Sequence, residues 1–405
     1  MEVVSSKEIL LPKQSIDHTL WSVIACDQFT SEISYWERLR QQVEDVPSTY
    51  HLILPEAYLH LGFETRIQSA NSNMNLYLRS NIFDTVSNPI IIDRKTPYHE
   101  HRYGLLLTID LEEYEYMPGK KGRIVASEKT VLDRIPPRVK IRENAPIELP
   151  HILVLFDDVD GLIAKTASDT RNMKKLYDFD LNMGGGHITG HLLEKSAELL
   201  AKINEQIEKT PLIVGDGNHS LASAKVCWEN LKKNLPEEEL VGHPARYALV
   251  ELESIYDKGL AFEPIHRVIY RPGDDFLEDL SRASYGQNPM KILTKKGEDY
   301  ILSPESPFET IVWIQNFLDD YLAFHPDTRI DYVHGFKNLE GIIAENPGSI
   351  GLVLPPLGRD KLFPYINENG VLPRKSFSLG EAIEKRYYLE CRLITKGRID
   401  NEKSI

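Results

Sequence analysis

The segment richest in residues that could do chemistry follows a short apolar run at residues 212–214. It joins two glycines, one carboxylate and three hydrogen-bonding side chains, in the order Gly215, Asp216, Gly217, Asn218, His219 and Ser220. A strand that ends in glycines and leads into a helix presents backbone N–H groups at the helix N-terminus, where the helix dipole favours an anion. The sequence therefore predicts a phosphate or small-anion site here.

The residues of this segment have chemical roles that fit such a site. Gly215 and Gly217 would let the backbone approach a ligand closely. Asn218 and His219 would donate hydrogen bonds to phosphate oxygens. Asp216 would bind a metal ion or act as a base.

The same segment also fits a tight turn that binds no ligand. In that case Ser220 is the N-cap of the following helix, and the Asp216 carboxylate accepts a hydrogen bond from its own backbone. In the functional interpretation the Ser220 hydroxyl would instead contact the ligand. The residues alone leave both interpretations open, although their density at a strand end exceeds what a turn requires.

Glu128, Lys129 and Arg134 form a second candidate group, close together in the sequence. Glu128 could serve as a general base or metal ligand, and the two cations could pair with a phosphate. The alternative is an exposed helix start with salt bridges along the helix.

His266, Arg267 and Lys375 form a third candidate group. His266 and Arg267 end a predicted strand, where both could contact an anion, and Lys375 lies in a basic turn. The alternative is that these polar side chains are simply exposed at the rim of the protein.

His187 and His191 follow a run of three glycines and are four residues apart. On a helix they would share one face and could bind zinc. No glutamate accompanies them in the pattern of a zinc protease. The alternative is a loop that precedes a helix, so the sequence assigns no metal.

Hydrophobic periodicity indicates the elements that position these residues. Helices are predicted over residues 31–46, 57–81, 128–142 with an interruption at the two prolines, 191–207 and 220–235. Strands are predicted over residues 51–55, 102–116, 151–157, 212–214 and 246–256. Because helices and strands do not alternate strictly, the fold class is α+β, with mixed sheets and flanking helices. We expect an N-terminal α/β domain at residues 1–183 and a C-terminal α+β domain at residues 184–405.

Composition narrows the class of function. The chain of 405 residues is 41% hydrophobic and 27% charged, as in globular proteins, and its net charge is −14. Such an acidic balance argues against a nucleic-acid or anionic-membrane partner. Three separate cysteines fit a reducing cytoplasm, and no apolar run is long enough to span a membrane. No P-loop motif or nucleophile elbow is present in the sequence.

Five short motifs, taken in order along most of the chain, resemble the domain of unknown function 1015 family of bacteria and archaea. They are Arg102-Tyr103-Gly104 with Leu111-Glu112-Glu113-Tyr114, Glu128-Lys129-Thr130 with Asp133-Arg134, Gly215-Asp216-Gly217-Asn218-His219, Pro264-Ile265-His266-Arg267 and Pro373-Arg374-Lys375-Ser376. Each motif is short, and the ordered set carries the resemblance.

The glycine segment also resembles the Asp-Gly-His-His-Arg type motif of the ParB and sulfiredoxin-like superfamily, which includes free serine kinases. The resemblance implies a ParB/sulfiredoxin-like core with additional α/β elements. It also implies a phosphotransferase that uses ADP or ATP with Mg²⁺ on a small metabolite such as O-phosphoserine or serine. Asn218 and Ser220 stand where the motif usually has a histidine and an arginine, and a hydroxyl does not replace the bidentate phosphate contact of an arginine.

Taken together, the residues and the resemblance give one set of candidate roles. The catalytic candidates are Asp216, His219 and Glu128. The candidate cofactor-binding residues are Gly215, Gly217, Asn218, Ser220, Lys129, Arg134, His266, Arg267 and Lys375. The alternative function is a non-catalytic protein that binds a metabolite or nucleotide for regulation.

Overall fold

The structure, a computed structural model, describes residues 2–24, 33–58, 62–117 and 119–396. The chain divides into two units. Unit 1 comprises Met1–Ala126, Thr130–Leu260 and Ala382–Ile405, and unit 2 comprises Ser127–Lys129 and Ala261–Glu381. The sequence placed a boundary between residues 183 and 184 instead. The segment on both sides of that position belongs to one sheet of unit 1, because its strands pair with each other.

The helices of the described residues fall in both units. Those of unit 1 are α1 (His18–Trp21), α2 (Ile33–Val43), α3 (Phe63–Arg79), α4 (Ile135–Arg142), α5 (Leu162–Ala167), α6 (Ala197–Ile207), α7 (Asn218–Lys232) and α8 (Glu237–Leu240). Those of unit 2 are α9 (Phe276–Ala283), α10 (Pro307–Phe324), α11 (Phe336–Glu345) and α12 (Leu362–Asn369).

Strands make up the rest of the regular structure. Those of unit 1 are β1 (Val4–Ser5), β2 (Ile9–Pro12), β3 (Val23–Ile24), β4 (Phe83–Val86), β5 (Ile90–Lys95), β6 (Tyr103–Asp110), β7 (Tyr114–Glu115), β8 (Ile124–Ala126), β9 (Ile147–Glu148), β10 (Leu153–Phe156), β11 (Lys174–Asp180), β12 (His187–Leu192), β13 (Leu212–Asp216), β14 (Tyr247–Ser254), β21 (Tyr387–Tyr388) and β22 (Arg392–Leu393). Those of unit 2 are β15 (Phe262–Tyr270), β16 (Asn288–Thr294), β17 (Gly297–Ser303), β18 (Arg329–His334), β19 (Ile350–Leu352) and β20 (Phe377–Leu379).

The main sheet of unit 1 has the strand order β11-β12-β5-β6-β14-β10-β13-β8-β7, and β1 pairs with β6. It is mixed, because β10 is parallel to β14 and β13 is parallel to β8, whereas β10 and β13 are antiparallel. Short two-stranded sheets join β2 to β4, β3 to β21 and β9 to β22. This mixture of helices with mixed sheets confirms the α+β class.

Both faces of the main sheet are buried along its central strand β6. Along β6, Leu105 and Leu107 belong to one apolar cluster and Leu106 belongs to another, as expected when successive side chains point to opposite faces. A continuous apolar run such as Leu105–Leu107 is typical of a strand that is covered on both sides.

Unit 2 contains a smaller sheet with the order β17-β16-β19-β15-β18, and β20 pairs with one end of β15. β15 is central and pairs antiparallel with β18, β19 and β20. An apolar cluster formed by Val268, Leu293, Val333, Leu339 and Ile343 packs α11 against this sheet.

Two element predictions were wrong for local reasons. Residues 51–55 were predicted as a strand, but a 3-10 helix covers Thr49–Leu52, because the Ser48 hydroxyl accepts the Tyr50 N–H at 3.2 Å and favours a turn. The helix predicted over residues 128–142 begins only at Ile135, and its two prolines lie in the first turn, where no hydrogen bond is lost.

None of the helices in the described ranges combines the length and the apolar character that a bilayer crossing requires. Cys227 and Cys391 are free thiols, and Cys26 lies outside the described residues.

Candidate functional site

The predicted anion-binding segment connects β13 to α7 in unit 1. Gly217 is the N-cap residue and has a left-handed backbone with φ of 82°. A Cβ atom at this position would lie 3.0 Å from Cγ1 of Ile152. The left-handed backbone angle therefore favours glycine, and a Cβ atom would fit only if the Ile152 side chain shifted slightly. The helix begins at Asn218, so the prediction that Ser220 is the N-cap was wrong, because Gly217 makes the turn earlier.

Asp216 is the last residue of β13, and both of its carboxylate oxygens are engaged. Oδ1 accepts a hydrogen bond of 2.8 Å from the backbone N–H of Gly217. Oδ2 lies 3.0 Å from Nζ of Lys385, whose side chain is 7% exposed, whereas that of Asp216 is 36% exposed. The carboxylate is thus oriented by a lysine while one side remains open to solvent.

Ser220 and His151 form a hydrogen-bonded pair, with 2.9 Å between Oγ and Nε2. Burial lowers the pKa of His151 to about 4, although the charge of Asp216 opposes that shift. The ring also makes an edge contact with Tyr388 at 5.1 Å between centroids. His151 is therefore neutral at pH 7, and it holds the Ser220 hydroxyl in the first turn of α7.

His219 contacts the chain before α4. Its Nε2 accepts a hydrogen bond of 3.1 Å from the backbone N–H of Val131. In the neutral ring the proton then lies on Nδ1. The predicted donation to a phosphate would have to come from Nδ1, because Nε2 acts as an acceptor.

Of the remaining predicted residues of unit 1, two belong to this turn, and the third follows a segment that contacts His219. Gly215 belongs to β13 and Asn218 opens α7. Arg134 is exposed and lies in the 3-10 helix Leu132–Arg134. This helix directly follows Val131, whose backbone N–H donates a hydrogen bond to His219.

Glu128 belongs to unit 2, where three backbone N–H groups surround its carboxylate. Its carboxylate accepts N–H groups from Lys375 at 2.7 Å, from Ser376 at 2.8 Å and from Phe377 at 3.3 Å. Lys375 has a positive φ of 58°, and such a turn directs successive amides to one point. The motif that contains Glu128 and the motif that contains Lys375 therefore contact each other in the fold.

This arrangement changes the interpretation of Glu128. The residue forms a parallel bridge with Leu372 and does not start a helix. Burial raises the pKa of the Glu128 carboxyl, while the three amide hydrogen bonds oppose that shift. Lys129 beside it is exposed, and its amide donates to the Leu372 carbonyl at 2.7 Å.

His266 and Arg267 are adjacent on β15, and their side chains point to opposite faces of the unit 2 sheet. His266 Nδ1 accepts the Leu354 N–H at 3.1 Å, and its ring makes an edge contact with Phe336 of α11. Arg267 faces α10 and bonds to Gln315. The sequence predicted that His266 and Arg267 would contact one anion together. Their side chains instead lie in two different environments.

The histidines at positions 187 and 191 lie on a strand and not on a helix. β12 pairs with β5 and β11, and His187 contacts Asp180 at 2.7 Å and Asp178 at 2.6 Å. Among the described residues, no group of three or more His, Cys, Asp or Glu side chains could hold a metal ion.

The glycines near these histidines have packing roles. Cβ atoms added at Gly185 and Gly190 would lie 2.3 Å from the hydroxyl of Tyr387 and 2.2 Å from the ring of Tyr177. These positions therefore favour glycine because aromatic side chains pack directly on the backbone.

The first family motif lies in a buried ionic network. A Cβ atom at Gly104 would lie 2.1 Å from Oε1 of Glu251, whose other oxygen is 2.6 Å from Arg386. Arg102 lies 3.1 Å from Glu253, and both are fully buried. This motif therefore lies in the packed interior of unit 1.

Sequence reasoning missed Lys385 and His151. Both contact the turn from positions remote in sequence, and neither belongs to a recognisable motif. A partner for Asp216 could be expected from charge alone, but nothing in the sequence distinguishes Lys385 from other lysines.

The fold and the turn define an α+β protein in which a strand, a glycine turn and a helix carry a carboxylate–lysine pair. The family model described as "Protein of unknown function (DUF1015)" matches residues 7–321, and the chain belongs to this family. No match to a curated protein is found.

Several solved structures show a distant likeness. A conserved hypothetical protein from Pyrococcus furiosus is 9% identical, with 72% of this chain and 95% of that chain covered and a TM-score of 0.40. A free serine kinase in complex with AMP is 10% identical, with 72% and 91% covered and a TM-score of 0.39. SbnI with a C-terminal truncation, from Staphylococcus aureus, is 10% identical, with 74% and 90% covered and a TM-score of 0.39.

Proposed function

We propose that the β13–α7 turn binds the phosphate of a nucleotide or of a phosphorylated metabolite, and that the protein is a nucleotide-dependent phosphotransferase. The Asp216–Lys385 pair is the observation that carries the proposal. It supplies a nearly buried ammonium and an oriented carboxylate next to the N-terminus of a 15-residue helix. Ammonium groups and helix N-termini both favour phosphate.

The residues of the turn have distinct roles in this proposal. Lys385 and the first amides of α7 would stabilise the charge on the transferred phosphoryl group. The hydroxyl oxygen of the acceptor forms the new P–O bond, the P–O bond to the departing nucleotide breaks, and Asp216 accepts the hydroxyl proton. A neutral His151 would keep the Ser220 hydroxyl directed at the same turn. Serine with ATP, or O-phosphoserine with ADP in the reverse direction, is the pair to test first.

A divalent cation fits this turn only in part. Mg²⁺ in nucleotide sites typically has one or two protein carboxylates and takes its other ligands from phosphates and water. Asp216 is a carboxylate with an open side, but Lys385 already neutralises it. Mg²⁺ would therefore be held by the phosphates of the nucleotide and by water, would supply charge neutralisation of the phosphates, and would leave Asp216 as the base.

A specific observation favours the second candidate function, a protein that binds a phosphorylated metabolite without turnover. The side chains of His219 and Ser220 make hydrogen bonds within the protein, to Val131 and His151. Side chains that position the backbone of a turn are sufficient for binding, whereas catalysis requires groups that reach the reacting atoms.

The test uses the purified full-length chain. Binding of AMP, ADP and ATP is measured by calorimetry, and phosphoryl transfer is measured from O-phosphoserine and ADP in the presence of Mg²⁺ by the ATP formed. The proposal expects saturable binding and turnover, and Lys385→Met should weaken both. Lys202→Met serves as the control, because Lys202 is an exposed lysine of α6 paired to Glu198.

The outcomes separate the two functions. Binding without turnover for any phosphorylated metabolite of a broad panel supports the non-catalytic function. Absence of nucleotide and phosphate binding, or equal loss in the Lys202→Met control, overturns both.

A further inference from the structure

A cavity of about 570 Å³ lies at the surface of unit 2, along one side of α10. Sites for small molecules typically have volumes of roughly 300–1,000 Å³. One stripe of the helix, with the spacing i, i+4, i+7 and i+11, forms its floor and consists of Glu309, Trp313, Asn316 and Asp320. The cavity, called the α10 groove below, therefore runs along the helix and is accessible from solvent.

The floor of the α10 groove has a carboxylate at each end. Glu309 and Asp320 are both exposed, and their separation along the helix axis is about 16 Å. In the part of the chain that the structure describes, neither carboxylate forms an ion pair. The described residues that line the groove include no lysine, arginine or histidine. Arg282, at the end of α9, pairs instead with Glu278 and Asp279 of its own helix. The groove therefore has two uncompensated negative charges.

Aromatic rings form one wall between these charges. Trp313 and Tyr285 meet at an angle of 82° with 6.0 Å between ring centroids. Nε1 of Trp313 donates a hydrogen bond of 3.1 Å to the Ala283 carbonyl, which fixes the indole. Tyr285 is 55% exposed, so its ring is available to a ligand. Ring faces attract ammonium groups and also pack against aliphatic chains.

The other wall of the groove is Tyr365 of α12. Its ring stacks on Phe308 at 4.7 Å between centroids. Burial raises the pKa of Tyr365, and the charge of Glu309 raises it further, so the carboxylate lies close to this ring. Both walls are held by contacts within the protein, which lowers the cost of ordering them around a ligand.

The charges and their spacing indicate the kind of ligand. The two carboxylates would repel a phosphate or a carboxylate, and a simple amine could pair with only one of them. A linear polyamine has several ammonium groups on an aliphatic chain, so its two ends could pair with Glu309 and Asp320. Its methylene groups would then pack on Trp313, and the side-chain oxygen of Asn316 could accept a hydrogen bond from an inner ammonium.

We propose that the α10 groove is a binding site for an extended linear polyamine, which lies across Trp313 with its ends at Glu309 and Asp320. The site lies in unit 2 alone. It does not depend on phosphate or nucleotide binding at the β13–α7 turn.

The test titrates the full-length chain, without nucleotide, with spermine, putrescine, butylamine and a tetralysine peptide by calorimetry. Spermine is long enough to reach both carboxylates, whereas putrescine is too short. Saturable binding of one spermine, with much weaker binding of putrescine and butylamine, is expected. Equal affinity for spermine and putrescine would overturn the proposal, and so would a preference for tetralysine, which would indicate a protein partner.

Tryptophan fluorescence locates the bound polyamine. Of the four tryptophans, Trp21, Trp36 and Trp228 are buried, whereas Trp313 is only half-buried. Spermine should therefore change the emission of Trp313. Trp313→Phe keeps an aromatic ring in the groove and should abolish this change. A spermine-induced change that persists in Trp313→Phe would overturn the proposal.

Charge variants test the two ends of the groove. Glu309→Gln and Asp320→Asn should each weaken spermine binding by roughly two- to fivefold, as expected for an exposed ion pair. Both variants should fold, because the two side chains are exposed. Glu345→Gln is the matched control, since Glu345 is an exposed glutamate at the end of α11 and does not line the groove. An equal loss in Glu345→Gln, or no saturable binding of spermine, would overturn the proposal.

Discussion

The ammonium nitrogen of Lys385 lies 3.0 Å from Oδ2 of Asp216. Asp216 ends a strand of unit 1, and Lys385 comes from the segment that returns to unit 1 after unit 2 in the chain. The strand–glycine–helix turn is therefore completed by a residue that local sequence does not supply. The charge of the turn depends on this pair.

Replacing Lys385 by methionine should weaken nucleotide binding by roughly tenfold to a hundredfold, because charge-assisted hydrogen bonds contribute about 1.5–3 kcal/mol. The stability of the fold should change less, since Asp216 is partly exposed and can be solvated when its partner is lost. Calorimetric titration with ADP and urea unfolding measure the two effects.

Asp216→Asn tests whether the Asp216 carboxylate acts as the base. It keeps the acceptor for the Gly217 amide and removes the negative charge. If Asp216 accepts the proton of the acceptor hydroxyl, this variant should bind ADP at least as tightly as the wild type while turnover falls. Unchanged turnover would show that Asp216 is not the base.

Gly217→Ala should destabilise the protein by about 1–3 kcal/mol, because alanine is strained at a φ of 82° and its Cβ would press on Ile152. Gly161→Ala is the matched control, since Gly161 is also a left-handed N-cap but has nothing within 4 Å of the added Cβ. Urea unfolding of both variants separates backbone strain from the contact. Equal losses would show that Ile152 does not oppose the added atom.

Much of the fold could be predicted from hydrophobic periodicity. The predicted helices at residues 31–46 and 57–81 contain α2 and α3, and the strands at residues 212–214 and 246–256 match β13 and β14. Periodicity succeeds there because each element buries a continuous face. Periodicity failed at residues 187–192, which form a strand. Glycine is typical of loops, but here it is present because an aromatic ring packs directly on the backbone.

The site could be predicted only as far as local sequence determines it. The turn at Gly217 follows from the residue type, because a left-handed N-cap needs glycine. The partners of Asp216 and Ser220 depend on tertiary contacts to Lys385 and His151, which no local pattern encodes. The sequence marks Glu128 and Lys375 as separate candidates, because the tertiary contact between the Glu128 carboxylate and the amides at residues 375–377 has no local pattern.

Replacing Glu128 by alanine should destabilise unit 2, because it leaves the amides of Lys375, Ser376 and Phe377 without their acceptor. The expected cost is about 1–3 kcal/mol. Hydrogen exchange should show lost protection at these amides in particular. Glu345→Ala is the control, since Glu345 is an exposed residue of the same unit. Unchanged exchange at residues 375–377 would contradict the arrangement.

The last prediction concerns two histidines whose pKa values shift in opposite directions. Burial lowers the pKa of His266 from 6.5 to about 4, and its Nδ1 must stay unprotonated to accept the Leu354 N–H. Burial also opposes protonation of His187, but hydrogen bonds with Asp180 and Asp178 outweigh it and raise that pKa.

The direction in which each histidine changes the stability with pH depends on whether the folded or the unfolded state binds more protons. Between pH 6.5 and about 4 the unfolded chain protonates at position 266 while the folded protein does not, so the contribution of His266 to stability is lost as the pH falls, by up to about 3 kcal/mol. The contribution of His187 is present below pH 6.5 and is lost as the pH rises through its raised pKa. Urea unfolding should therefore show that the stability difference between His266→Asn and the wild type changes between about pH 4 and 6.5, whereas the difference for His187→Asn changes only above pH 6.5. A stability difference for His266→Asn that stays constant between pH 4 and 6.5 would show that the buried hydrogen bond to Leu354 does not keep His266 neutral.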